Sequence, residues 1–359
     1  MTYGLQEAEN NGLRDIKLCL HYMDFSVRSS DDFDLNQRLL SMNKLHLVVL
    51  SVVIDDDYVD KDDDHQAKLY NFIKEVISVH SCSQLQHLAL NQVNLGEHKL
   101  VLPDNITHIK LLLVTITEGL SVHKCSQLQH LDLDRVDIGE HKLVLPDNIT
   151  HIKLSRVAIT GGLSVQHCTQ LQHLALGYLD LGEHGLVLPD NITYIELWNV
   201  AMTGGLLVQH CSHLQKLTLF VVDLGKHELV LPANIIHINL FNVTMVGGLL
   251  VQHCSQLQDF ALWAMKFDDD FSRLPNSITN IALCFVTMSV RNLLALLEYL
   301  ENLPHAVSCE LKYCTVEPSS EHGQVEHRLK TLTILHCDYN IDGTEDGVFD
   351  EKMCFTCWK

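Results

Sequence analysis

A right-handed α/β solenoid of short parallel coils is the fold class that this 359-residue sequence predicts. Three observations predict it. Cysteine recurs every 43 residues, at Cys82, Cys125, Cys168, Cys211 and Cys254. Proline recurs at the same interval, at Pro103, Pro146, Pro189, Pro232 and Pro275. Each 43-residue unit divides into two similar halves, such as LQHLALNQVNL from Leu85 and ITHIKLLLVTI from Ile106, both apolar at offsets 0, 3, 5, 8 and 10. A fixed period is the mark of a repeat array, in which each coil touches only its neighbours.

The halves begin at Leu85, Ile106, Leu128, Ile149, Leu171, Ile192, Leu214, Ile235, Leu257 and Ile278, in alternating steps of 21 and 22 residues. Apolar offsets 3 and 5 alternate with polar ones, which is the period of a strand. Strands of successive coils then pair in parallel about 4.8 Å apart, and the inward Leu, Ile and Val stack into one core. Glycine turn signals follow, as in LGEH at Gly96 and Gly182, IGEH at Gly139, LGKH at Gly225, and TGG at Gly161-Gly162 and Gly204-Gly205. So short a coil leaves no room for a full return helix, and extended or short 3₁₀ segments are expected there. The pattern resembles LxxLxLxxNxL, the signature of the leucine-rich-repeat superfamily, from about Leu13 to Cys337. The resemblance implies a parallel sheet on the concave face. One departure stands out. Offset 8, usually Asn or Cys in that family, is here Val93, Val114, Val136, Val157, Leu179, Val200, Val222, Val243, Met265 and Val286. The turn must find other partners for its backbone, and Asn105, Asn148, Asn191 and Asn234 are the candidates.

The ends read differently. Ser30–Met42, Asp64–His80 and Ser289–Leu303 carry apolar residues at helical spacing, so longer terminal coils of about 28 to 40 residues with helical return paths are expected. The chain divides into longer repeats over 1–84, regular repeats over 85–288, longer repeats over 289–340 and a tail over 341–359.

Composition removes several function classes. The formal charge of -20 argues against nucleic acid and anionic membrane as partners. No apolar run of about 18 residues suggests a membrane span. The N-terminus does not read as a secretory signal, which points to the cytoplasm. Seven Asp and one Lys in Asp55–Asp64 lack the alternation and central glycine of a calcium loop and read as a solvated acidic loop. The five periodic cysteines should lie about 9.6 Å apart, beyond disulfide reach, as buried reduced thiols. Cys354 and Cys357 form a single CxxC with no second pair, so neither zinc nor redox chemistry is assigned. His98, His141, His184 and His227 repeat at 43 residues and read as turn residues. The N-x-T triplets from Asn105, Asn148, Asn191 and Asn242 read as products of the repeat.

Two outward columns carry the functional expectations. His87, His108, His130, His151 and His173 fill offset 2 in five consecutive halves. Neighbouring imidazoles there are weak candidates for a metal site or for a group that charges together near pH 6. A solvated ladder is the plainer reading, and no cofactor is expected. Offset 6 carries four consecutive aromatics, Trp198, Phe220, Phe241 and Trp263, with Tyr178, Tyr194, Val221 and Phe285 beside them. Four such rings offer roughly 600–1,000 Å², against about 800 Å² for one side of a standard interface. Mutual stacking or cover by another segment would reduce it. On the N-terminal half of the face, Asp132, Asp134, Arg135, Lys153 and Arg156 form a charged neighbour able to orient a protein partner.

The LPDNITHIKL and GGLSVQHCTQLQHL blocks resemble the repeat tails beside NACHT domains in invertebrate NOD-like innate-immune receptors. That resemblance implies ligand sensing or autoinhibition in the cytoplasm. No GxxxxGK[ST] loop is present, so no ATPase is expected. LPxxLxxLxL repeats also resemble bacterial effectors with a ubiquitin-ligase domain, and a secreted adhesion receptor is a third reading. No nucleophile–base constellation rises above the repeat, so the expected function is non-catalytic recognition of a protein ligand or signalling partner.

Overall fold

The computed structural model describes residues 20–27, 30–54, 72, 82–96, 100–139, 143–159, 163–182, 186–202, 204–245, 248–267, 274–317, 336–342 and 352–358. The chain forms two compact units, Met1–Gly161 and Gly162–Lys359. The acidic stretch Asp55–Asp64, nearly all of the helix expected over Asp64–His80, and His98, His141 and His184 lie outside the described residues.

In the first unit the ribbon runs through β1 (Tyr22–Val27), β2 (Val49–Ile54), β3 (His87–Asn91), β4 (His108–Leu112), β5 (His130–Asp134) and β6 (His151–Ser155). All neighbours pair in parallel. Helix α1 (Ser30–Asn43) joins β1 to β2, where one was expected. The registers Tyr22↔Val49 and Val49↔His87 make the first two coils 27 and 38 residues long.

The second unit holds β7 (His173–Gly182), β8 (Leu186–Val187), β9 (Tyr194–Met202), β10 (Leu206–Leu207), β11 (Lys216–Asp223), β12 (Leu229–Val230), β13 (His237–Phe241) and β14 (Leu249–Leu250). It continues with β15 (Asp259–Trp263), β16 (Lys266–Phe267), β17 (Asn280–Cys284), β18 (Thr287–Ser289), helix α2 (Val290–Asn302), β19 (Ser308–Glu317), β20 (His336–Asp342) and β21 (Lys352–Trp358). The long strands β7, β9, β11, β13, β15, β17 and β19 form a parallel ladder. The two-residue strands pair on the return path, β8 with β10 and β12 with β14. Extended segments and turns thus fill the short returns, and no 3₁₀ turn occurs among the described residues. Ser289 caps α2 by accepting the Asn292 N–H at 3.1 Å. The stretch expected to be a tail, 341–359, holds β21 and the last two residues of β20. β21 lies antiparallel to β19 and β20, so the last parallel edge is paired and Cys354 and Cys357 fall within a strand.

The core follows the apolar offsets. Offsets 3 and 5 are buried in every coil, as in Leu217 and Leu219, both 0 % exposed. Each strand is preceded by an i+3 turn that explains the alternation of Cys and Pro. The Leu85 N–H donates to the Cys82 carbonyl, and the Ile106 N–H to that of Pro103. All five periodic cysteines are buried free thiols. Burial pushes Cys125 up to about 11 and Cys211 and Cys254 to about 12, which removes the thiolate needed for nucleophilic chemistry.

Partners for the turns come from two places. At offset 9, Asn94, Asp137, Asp180 and Asp223 each accept the N–H of Gly96, Gly139, Gly182 or Gly225 at 2.9 Å. Gly139 has φ +64, and a Cβ there would lie 2.5 Å from the Thr117 carbonyl oxygen, so the turn requires glycine. The asparagines expected to serve this turn serve a different one. Asn148, Asn191 and Asn234 donate to the carbonyls of Ser126, Thr169 and Ser212, before the preceding strand. Thr107, Thr150 and Thr193 donate to the neighbouring Gln86, Gln129 and Gln172 carbonyls. Three of the N-x-T triplets therefore tie one coil to the next.

Offset 7 adopts left-handed backbone in eleven coils, from Gln92 (φ 57) to Tyr313 (φ 52). That residue turns the chain off the strand line and lets offset 8 return to the core. Both offsets 6 and 7 consequently face outward. Left-handed backbone costs an L-residue roughly 1–2 kcal/mol, and a β-branched one is an outlier. Val221 (φ 54) sits between Asn199 and Asn242, which occupy the same position in the adjoining coils. Val221→Asn is expected to stabilise the protein by about 1 kcal/mol, measured as a higher denaturant midpoint. A lower midpoint would show that its packing outweighs its backbone strain.

Candidate recognition surface

In the second unit, backbone register places Trp198, Phe220, Phe241 and Trp263 opposite one another on β9, β11, β13 and β15, in the row expected. Phe220 and Phe241 stack with centroids 4.3 Å apart and planes at 16°. Trp198 lies over Gly177 of β7, where a Cβ would meet its Cε2 and Nε1 at 2.1 Å. The absence of a side chain at Gly177 is what lets the indole lie down. A second row follows at offset 7. Tyr178 is 45 % and Phe285 56 % exposed, while Val221 is half-buried. Phe285 stacks on Tyr313 at 5.0 Å and 17°. Sequence reasoning missed Tyr313 because the coil before it is 28 residues long, from Ile278 to Ala306, and its own coil opens on Ala at offset 0. The SCELKYC segment carried the signal, with apolar residues at offsets 3 and 5. Ring stacking uses part of the area anticipated from four isolated aromatics, so the patch is smaller than their sum. Phe220 still shows 45 % of its surface.

Tyr194 does not join the aromatic row. It stands four residues before Trp198 on β9, roughly 13 Å along the strand. Its hydroxyl donates to Glu196 Oε2 at 2.6 Å, Lys216 Nζ lies 5.1 Å from its ring centre, and His173 packs on it at 4.9 Å. Burial, with the Glu196 hydrogen bond, pushes the phenol up to about 12. Tyr194 is thus the centre of a polar cluster. In the next coils His237 hydrogen-bonds Asp259, and Lys312 pairs with Glu310.

The first unit presents a different face. His87, His108, His130 and His151 stack ring on ring, each pair 4.2 Å apart with planes within 20°. His173, expected in the same column, belongs to the second unit. Parallel rings aim their nitrogens side by side, whereas a shared metal needs them to converge at about 2.1 Å. Among the described residues no His, Cys, Asp or Glu group has metal-binding geometry. The expectation that the column charges together near pH 6 also fails at His108. Burial, and then the neighbouring His130, His87 and His151, lower it to about 4. Asp134 and Arg156 meet at 3.7 Å as a loose surface pair, with Arg135 exposed beside them. Asp134 Oδ1 and Asn91 Oδ1 are buried atoms without hydrogen-bond partners.

The His108 shift gives stability a pH slope. Unfolded His108 titrates near 6.5, so between about 6.5 and 4 the unfolded chain binds more protons than the folded one. Stability should therefore be full above pH 6.5 and fall as pH drops toward 4. His108→Gln should flatten that decline, read as denaturation midpoints at pH 7.5, 6 and 5. An unchanged slope in the variant would place the acid sensitivity elsewhere.

No family model and no curated protein matches this chain. Solved structures do. The functional domain of InlJ from Listeria monocytogenes, with a cysteine ladder, is similar at 16 % identity and TM-score 0.48, over 70 % of this chain and 52 % of that one. The circular leucine-rich-repeat protein CroV588 is similar at 13 % identity and TM-score 0.40, over 68 % of this chain and 38 % of that one. The internalin InlF from Listeria monocytogenes is similar at 11 % identity and TM-score 0.40, over 72 % of each chain. This chain spans about half the length of the InlJ domain. Its own parallel ladders, at 21- and 22-residue steps with buried offsets 3 and 5, make it an α/β solenoid of short leucine-rich coils.

Proposed function

We propose that the chain is a non-catalytic recognition module whose second unit seats a protein partner on the outward face of β7–β19. One observation carries this reading. Trp198, Phe220, Phe241 and Trp263 stand in register on that face, beside the exposed Tyr178, Phe285 and Tyr313. Large aromatics in the open expose apolar surface to water, and exposed patches of this kind usually mark interaction sites. Trp and Tyr are also the residue types on which binding energy concentrates. The polar cluster of Tyr194, Glu196 and Lys216 flanks the rings and supplies orientation. Ligand sensing in a NOD-like innate-immune receptor is the setting that the LPDNITHIKL and GGLSVQHCTQLQHL resemblance favours, with the cytoplasm as its compartment.

The test compares proteins captured by the wild-type chain and by Trp198→Arg/Trp263→Arg, quantified against Lys124→Ala on an exposed turn of the first unit. The double substitution is expected to reduce specific capture at least tenfold and to cost no more than about 1–3 kcal/mol of stability, since Trp198 rests on Gly177. Equal capture by all three, or a large loss of stability in the double variant, rejects the aromatic surface.

A further inference from the structure

We infer that the outward face of β3–β6 is a second docking surface, specific for an acidic peptide, in which His108 with Lys110 and His151 with Lys153 form two carboxylate-binding pairs. Charge is the first observation. The chain carries -20 overall, yet this face exposes Lys110, Arg135, Lys153 and Arg156 against the half-buried Asp132 and Asp134, four cations to two carboxylates. A positive face on an acidic protein favours an acidic partner and repels the same face of a second copy.

Geometry is the second. Residues two apart on a strand share a face, roughly 6.6 Å apart. His108 and Lys110 on β4, and His151 and Lys153 on β6, are therefore equivalent brackets around one carboxylate each. They are two strands apart in register, about 9.6 Å. Carboxylates three residues apart in a polyproline-type extended peptide are separated by about 9.3 Å. Such a peptide, laid across the strands, reaches both brackets.

Hydrogen bonding fixes which ring atom meets the ligand. Thr107 Oγ1 donates to the Gln86 carbonyl at 3.0 Å, so the 2.8 Å contact with His108 Nδ1 requires the ring nitrogen to donate. Thr150 and His151 repeat the arrangement at 3.0 and 2.9 Å. With Nδ1–H committed, a proton gained by either ring goes to Nε2 and makes a new donor. The groups facing His108 are His87 from β3, His130 and Asp132 from β5, and Lys110 on its own strand. Beside His151 in register stand His130 and Asp132 from β5, and Lys153 on its own strand. Burial first, and then the neighbouring imidazoles, hold His108 low without an anion. A bound carboxylate offsets the repulsion between the rings, so binding takes up protons and tightens as pH falls.

The probe is a fluorescein-labelled peptide with glutamate at every third position and proline between, followed by anisotropy at pH 5.0, 6.0 and 7.5. Affinity is expected to rise at least tenfold from pH 7.5 to 5.0. Lys110→Ala/Lys153→Ala should remove binding at every pH. His108→Gln/His151→Gln should keep the weak binding of pH 7.5 and lose the gain. Lys124→Ala and Trp198→Arg/Trp263→Arg should bind as wild type does, which separates this surface from the aromatic one. Equal loss in Lys124→Ala, or a pH gain retained without His108 and His151, overturns the proposal. So does equal affinity for the same peptide with glutamine in place of glutamate.

Discussion

Leu219→Ala is expected to destabilise the second unit by about 2–5 kcal/mol, while Phe220→Ala, one residue on, changes stability by less than about 1.5 kcal/mol. Leu219 is 0 % exposed at offset 5 of β11, with Leu197 and Leu240 in register on either side. Truncation removes the transfer free energy of the side chain and leaves a cavity that neighbouring coils cannot fill, since each is pinned by its own ladder. Phe220 points the other way and is 45 % exposed, stacked only on Phe241 on its open side. Its loss removes a ring contact worth about 0.5–1.5 kcal/mol at most and opens no cavity. Stability in a repeat array is a sum of coil and interface contributions, so the Leu219 change should also loosen β9 and β13. Urea denaturation with hydrogen exchange on the β9, β11 and β13 amides reads both effects. Comparable losses from the two substitutions would mean that the assignment of inward and outward offsets is wrong.

That contrast was legible in the sequence because repetition writes it ten times. Offsets 3 and 5 hold Leu, Ile or another apolar residue in nearly every half, while offset 6 ranges from Asn91 to Trp198, and only a buried position is so constrained by its neighbours. The strand starts, the α1 and α2 helices and the aromatic row followed from the same logic. What could not be read was set by backbone dihedrals and by side chains meeting across coils. The left-handed conformation at offset 7 left no compositional trace, since Leu113, Arg135, Val221 and Phe285 all adopt it. It shows only as the step from offset 5 to offset 8, a break in strand alternation. The Asx turns at Asn94, Asp137, Asp180 and Asp223 sit at offset 9, which mixes Asn and Asp with Thr and Ala and so forms no single-residue column, although Asn and Asp accept the same glycine N–H. For the histidine column, spacing gave the proximity of the rings but not their parallel planes. Those planes turn a candidate chelate into a stack of rings in which His108 resists charging.

Gly177 offers a test of the recognition surface that touches none of its aromatics. Among the ten halves offset 6 varies freely, and a glycine there reads as neutral variation. In this chain Gly177 is the floor under Trp198, and an alanine methyl would sit 2.1 Å from the indole Cε2 and Nε1. No real carbon makes such a contact, and β7 and β9 are held in register on both sides of the site, so the ring must leave. Gly177→Ala is therefore expected to lower stability by about 1–3 kcal/mol and to tilt Trp198 into water. With Trp263 and Trp358 replaced by Phe, the remaining emission should shift to the red. The displaced ring should also weaken partner capture, since a protein surface shaped to a flat indole would meet an upright one. Gly182→Ala on the same strand is the control. Nothing lies within 4 Å of its would-be Cβ, and its φ of +61 costs only the backbone strain of a left-handed residue. That variant should lose about 1 kcal/mol and keep the wild-type emission. Unshifted Trp198 fluorescence in Gly177→Ala would show that the indole does not rest on the glycine, and the proposed surface would lose its first ring.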